Sequence, residues 1–211
     1  IYKIYMNIDD YDLSLNNYLK ALAISKNILG VNHPTTATLY NNIGYIYYTK
    51  GDYDKALKYL CKALEIREKV LGEGHSATAT LYDNIGVVYY NQGDYDMALE
   101  YFFKSLAIAE EKFTRNLDDA GLYKYISSIF YNKGEYDNAL KYRLKAVAIE
   151  EQILGVEHIE TAQSYGLVGI FYNNLGEHLQ ALEYNLKAME IYEKKLGKEH
   201  PDTAASYCIM G

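Results

Sequence analysis

Four histidines of this chain recur in one short phrase, and the imidazole side chain is a common metal ligand. In each copy a Leu-Gly pair is followed, after two further residues, by the histidine: His33, His75, His158 and His200. Metal ligands must all approach one ion to about 2 Å. The four copies are far apart along the chain, so their histidines are not expected to converge. We therefore predict that they lie in loops or begin helices, and that the chain has no metal site.

Patterns for covalent or phosphate chemistry are also missing from the sequence. Cys61 and Cys208 have no evident histidine partner for nucleophilic catalysis. There is no glycine-rich phosphate loop, G-x-S-x-G or H-E-x-x-H motif. We predict that the chain is not an enzyme and binds no cofactor. Because the two cysteines form no C-x-x-C pair or disulfide framework, they favour a reducing, cytoplasmic location.

A second phrase indicates that the whole chain is built from repeats. Gly51-Asp52-Tyr53 returns 42 residues later as Gly93-Asp94-Tyr95. It returns again as Gly134-Glu135-Tyr136 and, more faintly, as Gly176-Glu177-His178. A fixed period of this length is typical of a solenoid, in which each unit buries its apolar face against its neighbours.

Each repeat is predicted to be a pair of helices. In the first complete repeat, apolar residues after Pro34 recur at spacings of three and four, which indicates an amphipathic helix. Gly51 is expected to end that helix, and Asp52 to cap a second helix that runs to Gly72. Small residues are predicted where the two helices approach closely: Gly44, Ala56 and Ala63.

These small residues and the aromatic residues between them resemble the pattern of tetratricopeptide-repeat (TPR) proteins. The pattern reads Gly44, Tyr47, Ala56, Ala63 in one repeat and Gly169, Tyr172, Ala181, Ala188 in another. The period of 42 and the phrase from Leu196 to Ala204 resemble the subclass found in kinesin light chains. The resemblance implies an all-α fold, a right-handed α-solenoid of antiparallel helix hairpins. We expect residues 1–211 to form a single array of about five repeats, with partial helices at both ends, and to be a fragment of a longer protein.

One segment departs from the repeat. Between Glu110 and Asp119 the Leu-Gly pair is replaced by Phe113-Thr114, and Asn116 takes the place of histidine. The next helix has Ser127 where the other repeats have glycine. We interpret this departure as drift in a tolerant surface loop. The alternative is a local change in the pitch of the superhelix that shapes the groove.

The charge of the chain restricts its partners. The formal net charge is -7 and the pI is about 5.3, whereas binding to nucleic acid requires a basic face. No apolar run reaches the roughly 18 residues of a membrane span. We therefore expect neither nucleic acid nor a membrane as a partner.

The resemblance also implies where a partner would bind, because the first helices of TPR arrays line a concave groove. The side of each first helix opposite its packed stripe is rich in Asn and Tyr and poor in charge. Asn amides can pair with the backbone of an extended peptide, and Tyr supplies rigid contact area. The predicted peptide-binding residues are Asn41, Asn42, Tyr45, Tyr48, Asp83, Asn84, Tyr90, Asn91, Lys124, Tyr131, Asn132, Asn173 and Asn174.

The leading hypothesis is a protein–protein interaction scaffold that binds a peptide segment of a partner in this groove. Kinesin light chains prefer acidic cargo peptides and need basic groove residues, whereas Lys124 is nearly alone here. Two alternatives remain open: a self-associating structural array, and a sensor region of a larger multidomain protein. In the first alternative, copies would stack head to tail through Ile1, Ile4 and Tyr5 at one end and Tyr207, Ile209 and Met210 at the other.

Overall fold

Every element in the described part of the chain is an α-helix. The computed structural model describes residues 8–111 and 116–210, and no strand occurs in these ranges. The helices are α1 (Ile8–Ile28), α2 (Pro34–Thr49), α3 (Tyr53–Leu71), α4 (Ser76–Gln92), α5 (Tyr95–Glu111), α6 (Leu117–Asn132), α7 (Tyr136–Ile153), α8 (Ile159–Asn174), α9 (His178–Leu196) and α10 (Pro201–Met210).

The helices group into two compact units, residues Ile1–Lys112 and Phe113–Gly211. In the first unit α2 pairs with α3 and α4 with α5, while α1 packs on α2 and α3 on α4. In the second unit α6 pairs with α7 and α8 with α9, while α7 packs on α8 and α9 on α10. Each unit is therefore a stack of helical hairpins, and the predicted all-α solenoid of hairpins is confirmed.

Glycine makes the tight turn inside each hairpin. Gly51 has a φ of 76°, in the left-handed region that L side chains rarely adopt. The N–H of Asp52 then donates to the carbonyl of Tyr47 at 2.9 Å, and the Asp52 side chain accepts from the N–H of Lys55 at 3.2 Å. The other three hairpins turn at the equivalent glycines with φ between 76° and 82°: Gly93, Gly134 and Gly176. The four predicted turn positions are confirmed.

The four recurrent histidines cap the N-termini of α2, α4, α8 and α10. His33 precedes α2, and its Nδ1 accepts a hydrogen bond from the N–H of Thr35 at 3.2 Å. The hydroxyl of the fully buried Thr36 donates to the carbonyl of Gly30 at 3.0 Å. The same pair of bonds recurs at His75 with Thr78, His158 with Thr161 and His200 with Thr203. The phrase is therefore a structural cap, and the prediction that these histidines begin helices is confirmed.

In the repeat that departs from the pattern, different residues cap the first helix, α6. Asn116 caps α6, and its Oδ1 accepts from the N–H groups of Asp118 and Asp119 at 2.7 and 3.1 Å. The buried Asp119 carboxylate, which replaces the threonine, accepts from the N–H of Asn116 at 3.0 Å. This reciprocal capping satisfies three backbone N–H donors at once.

Close approach of the paired helices requires glycine on the first of them. A Cβ atom added to Gly44 would lie 2.8 Å from Cγ of Leu60, and one added to Gly86 would lie 2.6 Å from the Phe102 ring. Leu60 and Phe102 are fully buried, so neither has space to withdraw. The sequence-based expectation of close helix contact at Gly44 is confirmed.

Candidate peptide-binding faces

The first helices of the first unit carry almost no charge. No Asp, Glu, Lys or Arg occurs in α2, and α4 contains a single one, Asp83. In contrast, eight of the 19 residues of α3 are charged. Charge is therefore segregated onto the second helix, and a partner that lies along α2 and α4 meets mainly amides, hydroxyls and aromatic rings.

Two hydrogen bonds bring the predicted residues of α2 and α4 together. The side-chain Nδ2 of Asn84 donates to Oδ1 of Asn41 at 2.9 Å. Nδ2 of Asn91 lies 3.2 Å from the hydroxyl of Tyr48 and also donates to the carbonyl of Val87 at 2.7 Å. These bonds place Asn41 beside Asn84 and Tyr48 beside Asn91. We call the predicted residues of these two helices the Asn/Tyr face: Asn41, Asn42, Tyr45, Tyr48, Asp83, Asn84, Tyr90 and Asn91.

Aromatic rings add contact area to the Asn/Tyr face. The side chain of Tyr45 is 51% exposed, and its ring centroid lies 6.3 Å from that of the half-buried Tyr48. Tyr48 in turn packs at 6.1 Å against Tyr53, which begins α3. In the next hairpin Tyr90 packs on Tyr95 at 5.9 Å. These contacts hold the rings in place, so a ligand that packs on them orders few side chains.

In the second unit the predicted basic residue is already paired. Nζ of Lys124 on α6 lies 2.8 Å from Oε1 of Glu150 on α7. The Glu150 side chain is completely buried, whereas that of Lys124 is 34% exposed. Since the carboxylate compensates the ammonium, Lys124 does not present an uncompensated positive charge to a ligand.

The remaining predicted residues of the second unit make local contacts. The ring of Tyr131 on α6 stacks on that of Phe171 on α8, with centroids 5.2 Å apart. Oδ1 of Asn173 lies 2.9 Å from Nδ1 of His178, and Nδ2 of Asn174 donates to the carbonyl of Ile170 at 2.8 Å. Asn132 ends α6 and is exposed. The contact between Tyr131 and Phe171 therefore joins two neighbouring first helices, α6 and α8.

Sequence reasoning did not find the polar interior behind Lys124. Arg143 is 3% exposed, and its guanidinium lies 6.0 Å from the centre of the Phe171 ring. Arg143 and Glu150 both lie on the inner side of α7. The repeat register could have indicated this interior. Arg143 occupies the position of Leu60 and Phe102 in the first two hairpins, and Ser127 replaces the glycine that faces this position.

The residues named for head-to-tail stacking are only partly described. Ile1, Ile4 and Tyr5 lie outside the described residues, as do the side chains of Ile209 and Met210. Tyr207 is 42% exposed, and its hydroxyl donates to Oε1 of Glu193. Stacking of copies stays a prediction.

The described ranges also contain neither a metal cluster nor a membrane span. No group of three or more His, Cys, Asp or Glu side chains is arranged to hold a metal ion there. A membrane-crossing helix is likewise absent from these ranges, where each helix is too short or too polar.

Solved structures similar to this chain share its fold. The structure of BtubC (BKLC) from P. vanneervenii matches 91% of this chain and 76% of its own, with a TM-score of 0.78 and 20% identity. A putative kinesin light chain of nearly identical TPR-like repeats from Podosopora anserina matches 88% of this chain and 89% of its own, with a TM-score of 0.74 and 19% identity. At such identities the likeness shows the fold alone.

A third similar structure contains a bound peptide. The Rap conjugation gene regulator of the plasmid pLS20, in complex with the Phr* peptide, has a TM-score of 0.61 and 19% identity. The match covers 94% of this chain and 53% of the regulator, so this chain spans about half of the regulator's length.

The family of the chain is shown by comparison of its sequence with a family model. No curated protein matches the chain. The family model for the tetratricopeptide repeat matches residues 3–69, 50–111 and 160–211, which is well over half of the chain. The repeats, the helical hairpins and the glycine contacts agree with that match, and the chain belongs to the tetratricopeptide-repeat family.

Proposed function

We propose that this chain, which as a TPR protein is a protein–protein interaction scaffold, binds an extended peptide segment of a partner along its Asn/Tyr face. The observation that carries the proposal is the hydrogen bond from Asn84 to Asn41, which links the amides of two neighbouring first helices. A single peptide that crosses both helices would meet both amides.

The amide pair offers what the backbone of a peptide needs. One donor and one acceptor are used between the two side chains, so Asn41 keeps its Nδ2 donors and Asn84 keeps its Oδ1 acceptor. Within the described residues, no other group hydrogen-bonds these atoms. The carbonyl and N–H of one extended residue match this donor and acceptor, and such bonds do not depend on the side chain of the ligand.

The exposed rings favour a ligand with some apolar character. Tyr45 is half exposed beside Tyr48, so an apolar or aromatic side chain of the ligand can pack on it. Asp83 is the only ionisable residue in the sequences of α2 and α4 with a charge at neutral pH. The favoured ligand is therefore a neutral or weakly basic peptide, whose affinity depends little on salt.

A similar protein supports peptide binding by this fold. The Rap conjugation gene regulator has the same fold over most of this chain and is solved with the Phr* peptide bound. From this regulator we transfer to the chain only the class of ligand, which is a peptide. A cytoplasmic location and the lack of enzymatic activity belong to the same proposal, and they are supported by the distant cysteines and by the generally non-enzymatic character of TPR scaffolds.

The proposal is tested by selecting peptides from a random displayed library on the purified chain and measuring their Kd by calorimetry. Asn42→Ala is expected to weaken the best peptide by about 1–3 kcal/mol, or roughly 5- to 150-fold, since a hydrogen-bonding group of the face is lost. Asn138→Ala, on the second helix α7, is the matched control and should leave the Kd unchanged. Equal effects of both variants, or failure to select any peptide, would contradict the proposal.

A further inference from the structure

A cluster of one tyrosine from the first helix, one tyrosine from the second helix and a lysine recurs in hairpins of both units. In the first hairpin the Tyr40 ring of α2 lies 6.0 Å from that of Tyr59 on α3, and the Lys62 ammonium lies 5.7 Å from the Tyr40 centroid. The next hairpin has Tyr82, Tyr101 and Lys104 at the equivalent places, and the last complete hairpin has Tyr165, Tyr184 and Lys187.

In two of the later hairpins, those of Tyr82 and Tyr165, carboxylates neutralise this cluster. The Tyr82 hydroxyl donates to Oε1 of Glu68 at 2.7 Å, and the Tyr165 hydroxyl donates to Oε1 of Glu151 at 2.6 Å. The lysines are also paired, since Lys104 bonds Glu100 at 2.6 Å and Lys187 bonds Glu183 at 2.7 Å. Each of these two clusters therefore contains two acidic partners, one on each of the two second helices that flank the tyrosine.

The first hairpin reverses the charge at both of these acidic positions. Lys26 stands 42 residues before Glu68, at the place of the tyrosine's acceptor, and Lys58 stands 42 residues before Glu100. The Lys26 ammonium lies 5.2 Å from the centre of the Tyr40 ring. Among the described residues, neither Lys26 nor Lys62 has a carboxylate within ion-pair distance. Two uncompensated ammonium groups thus converge on one aromatic ring.

These groups line a cleft between α1 and α3. Its volume is about 390 Å³, which is large enough for an acidic side chain and part of its backbone. The lining residues combine apolar walls with donors: Leu19, Leu22, Ala23, Lys26, Asn27, Tyr40, Tyr59 and Lys62. The ammonium groups of Lys26 and Lys62 and the amide of Asn27 can each donate hydrogen bonds to an anion, and the rings exclude water from one side.

We propose that this cleft binds an anionic side chain, a carboxylate or a phosphate ester, of an acidic protein segment. In a chain of net charge -7, a pair of lysines without acidic partners attracts an anion locally. Binding an anion between Lys26 and Lys62 would also relieve their mutual repulsion. This acidic segment is chemically distinct from the neutral peptide proposed for the Asn/Tyr face, and the inference does not depend on that proposal.

The test uses fluorescent hexapeptides of glutamate, of phosphoserine and, as the neutral control, of glutamine, titrated into the full chain at low and high salt. Lys26→Glu restores the residue that the other repeats have, so the fold is expected to persist, with a new bond to Tyr40 like that of Glu68 to Tyr82. The matched control is Lys104→Glu, which makes the same change in net charge at the equivalent of Lys62 in the next hairpin.

We expect an anionic peptide to bind, the glutamine peptide not to bind, and Lys26→Glu to weaken binding at least about tenfold while Lys104→Glu changes it less than about twofold. Preference for glutamate or phosphoserine then identifies the source of the anion. Equal losses in both variants would mean attraction to overall charge rather than a site, and would overturn the inference. Absence of binding by either anionic peptide would overturn it as well.

Discussion

Asn84 of α4 donates from Nδ2 to Oδ1 of Asn41 on α2 at 2.9 Å, although the two residues are 43 positions apart in sequence. Both side chains are half-buried. The bond therefore connects neighbouring hairpins across the surface to which we assign peptide binding, and it gives one residue of that surface a structural role as well.

Asn42 and Asn84 occupy equivalent positions in their repeats, but only Asn84 forms the hydrogen bond to Asn41. Asn84→Ala is expected to lower the free energy of unfolding by about 1 kcal/mol, because it removes a part-buried hydrogen bond. Asn42→Ala should change it by less than about 0.5 kcal/mol, since no protein partner of Asn42 within the described residues is lost. Urea denaturation of the two variants beside the unmodified chain makes the measurement. Equal losses would show that the bond between hairpins contributes nothing to stability.

Replacement of a glycine at a helix crossing by alanine is expected to destabilise the fold. Gly86→Ala places a Cβ 2.6 Å from the buried Phe102 ring, and overpacking of this kind costs about 1–3 kcal/mol. Gly166→Ala in α8 is the matched control, because a Cβ there meets nothing within 4 Å. That variant should gain about 0.5–1 kcal/mol from helix propensity. Thermal unfolding should therefore shift in opposite directions, and a rise in Tm for Gly86→Ala would contradict the packing argument.

The ion pair of Lys124 and Glu150 is expected to matter more than the surface pairs. Lys124→Met leaves the completely buried Glu150 carboxylate without its cation, and removal of one partner of a buried pair costs about 3 kcal/mol. Lys187→Met breaks the exposed pair with Glu183 and should cost less than about 0.5 kcal/mol. Chemical denaturation at neutral pH compares the two. A small and equal effect would mean that solvent reaches Glu150 readily.

Alkaline conditions are expected to destabilise the fold through its buried phenols. Burial, together with the Glu68 carboxylate, raises the pKa of Tyr82 well above its usual range, and burial raises the pKa of Tyr101 to about 12. The folded state therefore binds more protons than the unfolded state between these values and the ordinary phenol pKa of about 10. The stabilisation is complete below pH of about 10 and is lost as pH rises through the folded values.

The measurement is the free energy of unfolding as a function of pH from neutral to strongly alkaline conditions. It should fall progressively above pH of about 10 in the unmodified chain. In Tyr82→Phe the fall should be shallower, because one of the shifted phenols no longer titrates. An unchanged slope in that variant would indicate that the alkaline loss arises from other groups, such as lysines.

Local rules made much of the fold predictable from sequence. Gly51 at a positive φ, Asp52 as a cap and His33 at the start of α2 act within a few residues of themselves, so their types and spacing suffice to place turns and helix ends. The repeat multiplies each such signal. The same rules did not foresee that Asn116 and Asp119 form a reciprocal cap in the exceptional repeat, because that requires the backbone geometry of the turn.

The sequence by itself determined the helical hairpins, the family and a first helix α2 without charge, since periodicity and composition decide which faces can be buried. Only the tertiary structure decided which side chains of different helices meet. It showed that Glu150 compensates Lys124 and that Lys26 reaches the ring of Tyr40. Such contacts join residues on separate helices, where the rotation of each helix sets which atoms come within a few ångströms. Helical spacing assigns a residue to a face of its own helix, but packing between helices chooses its partner and thereby its charge environment.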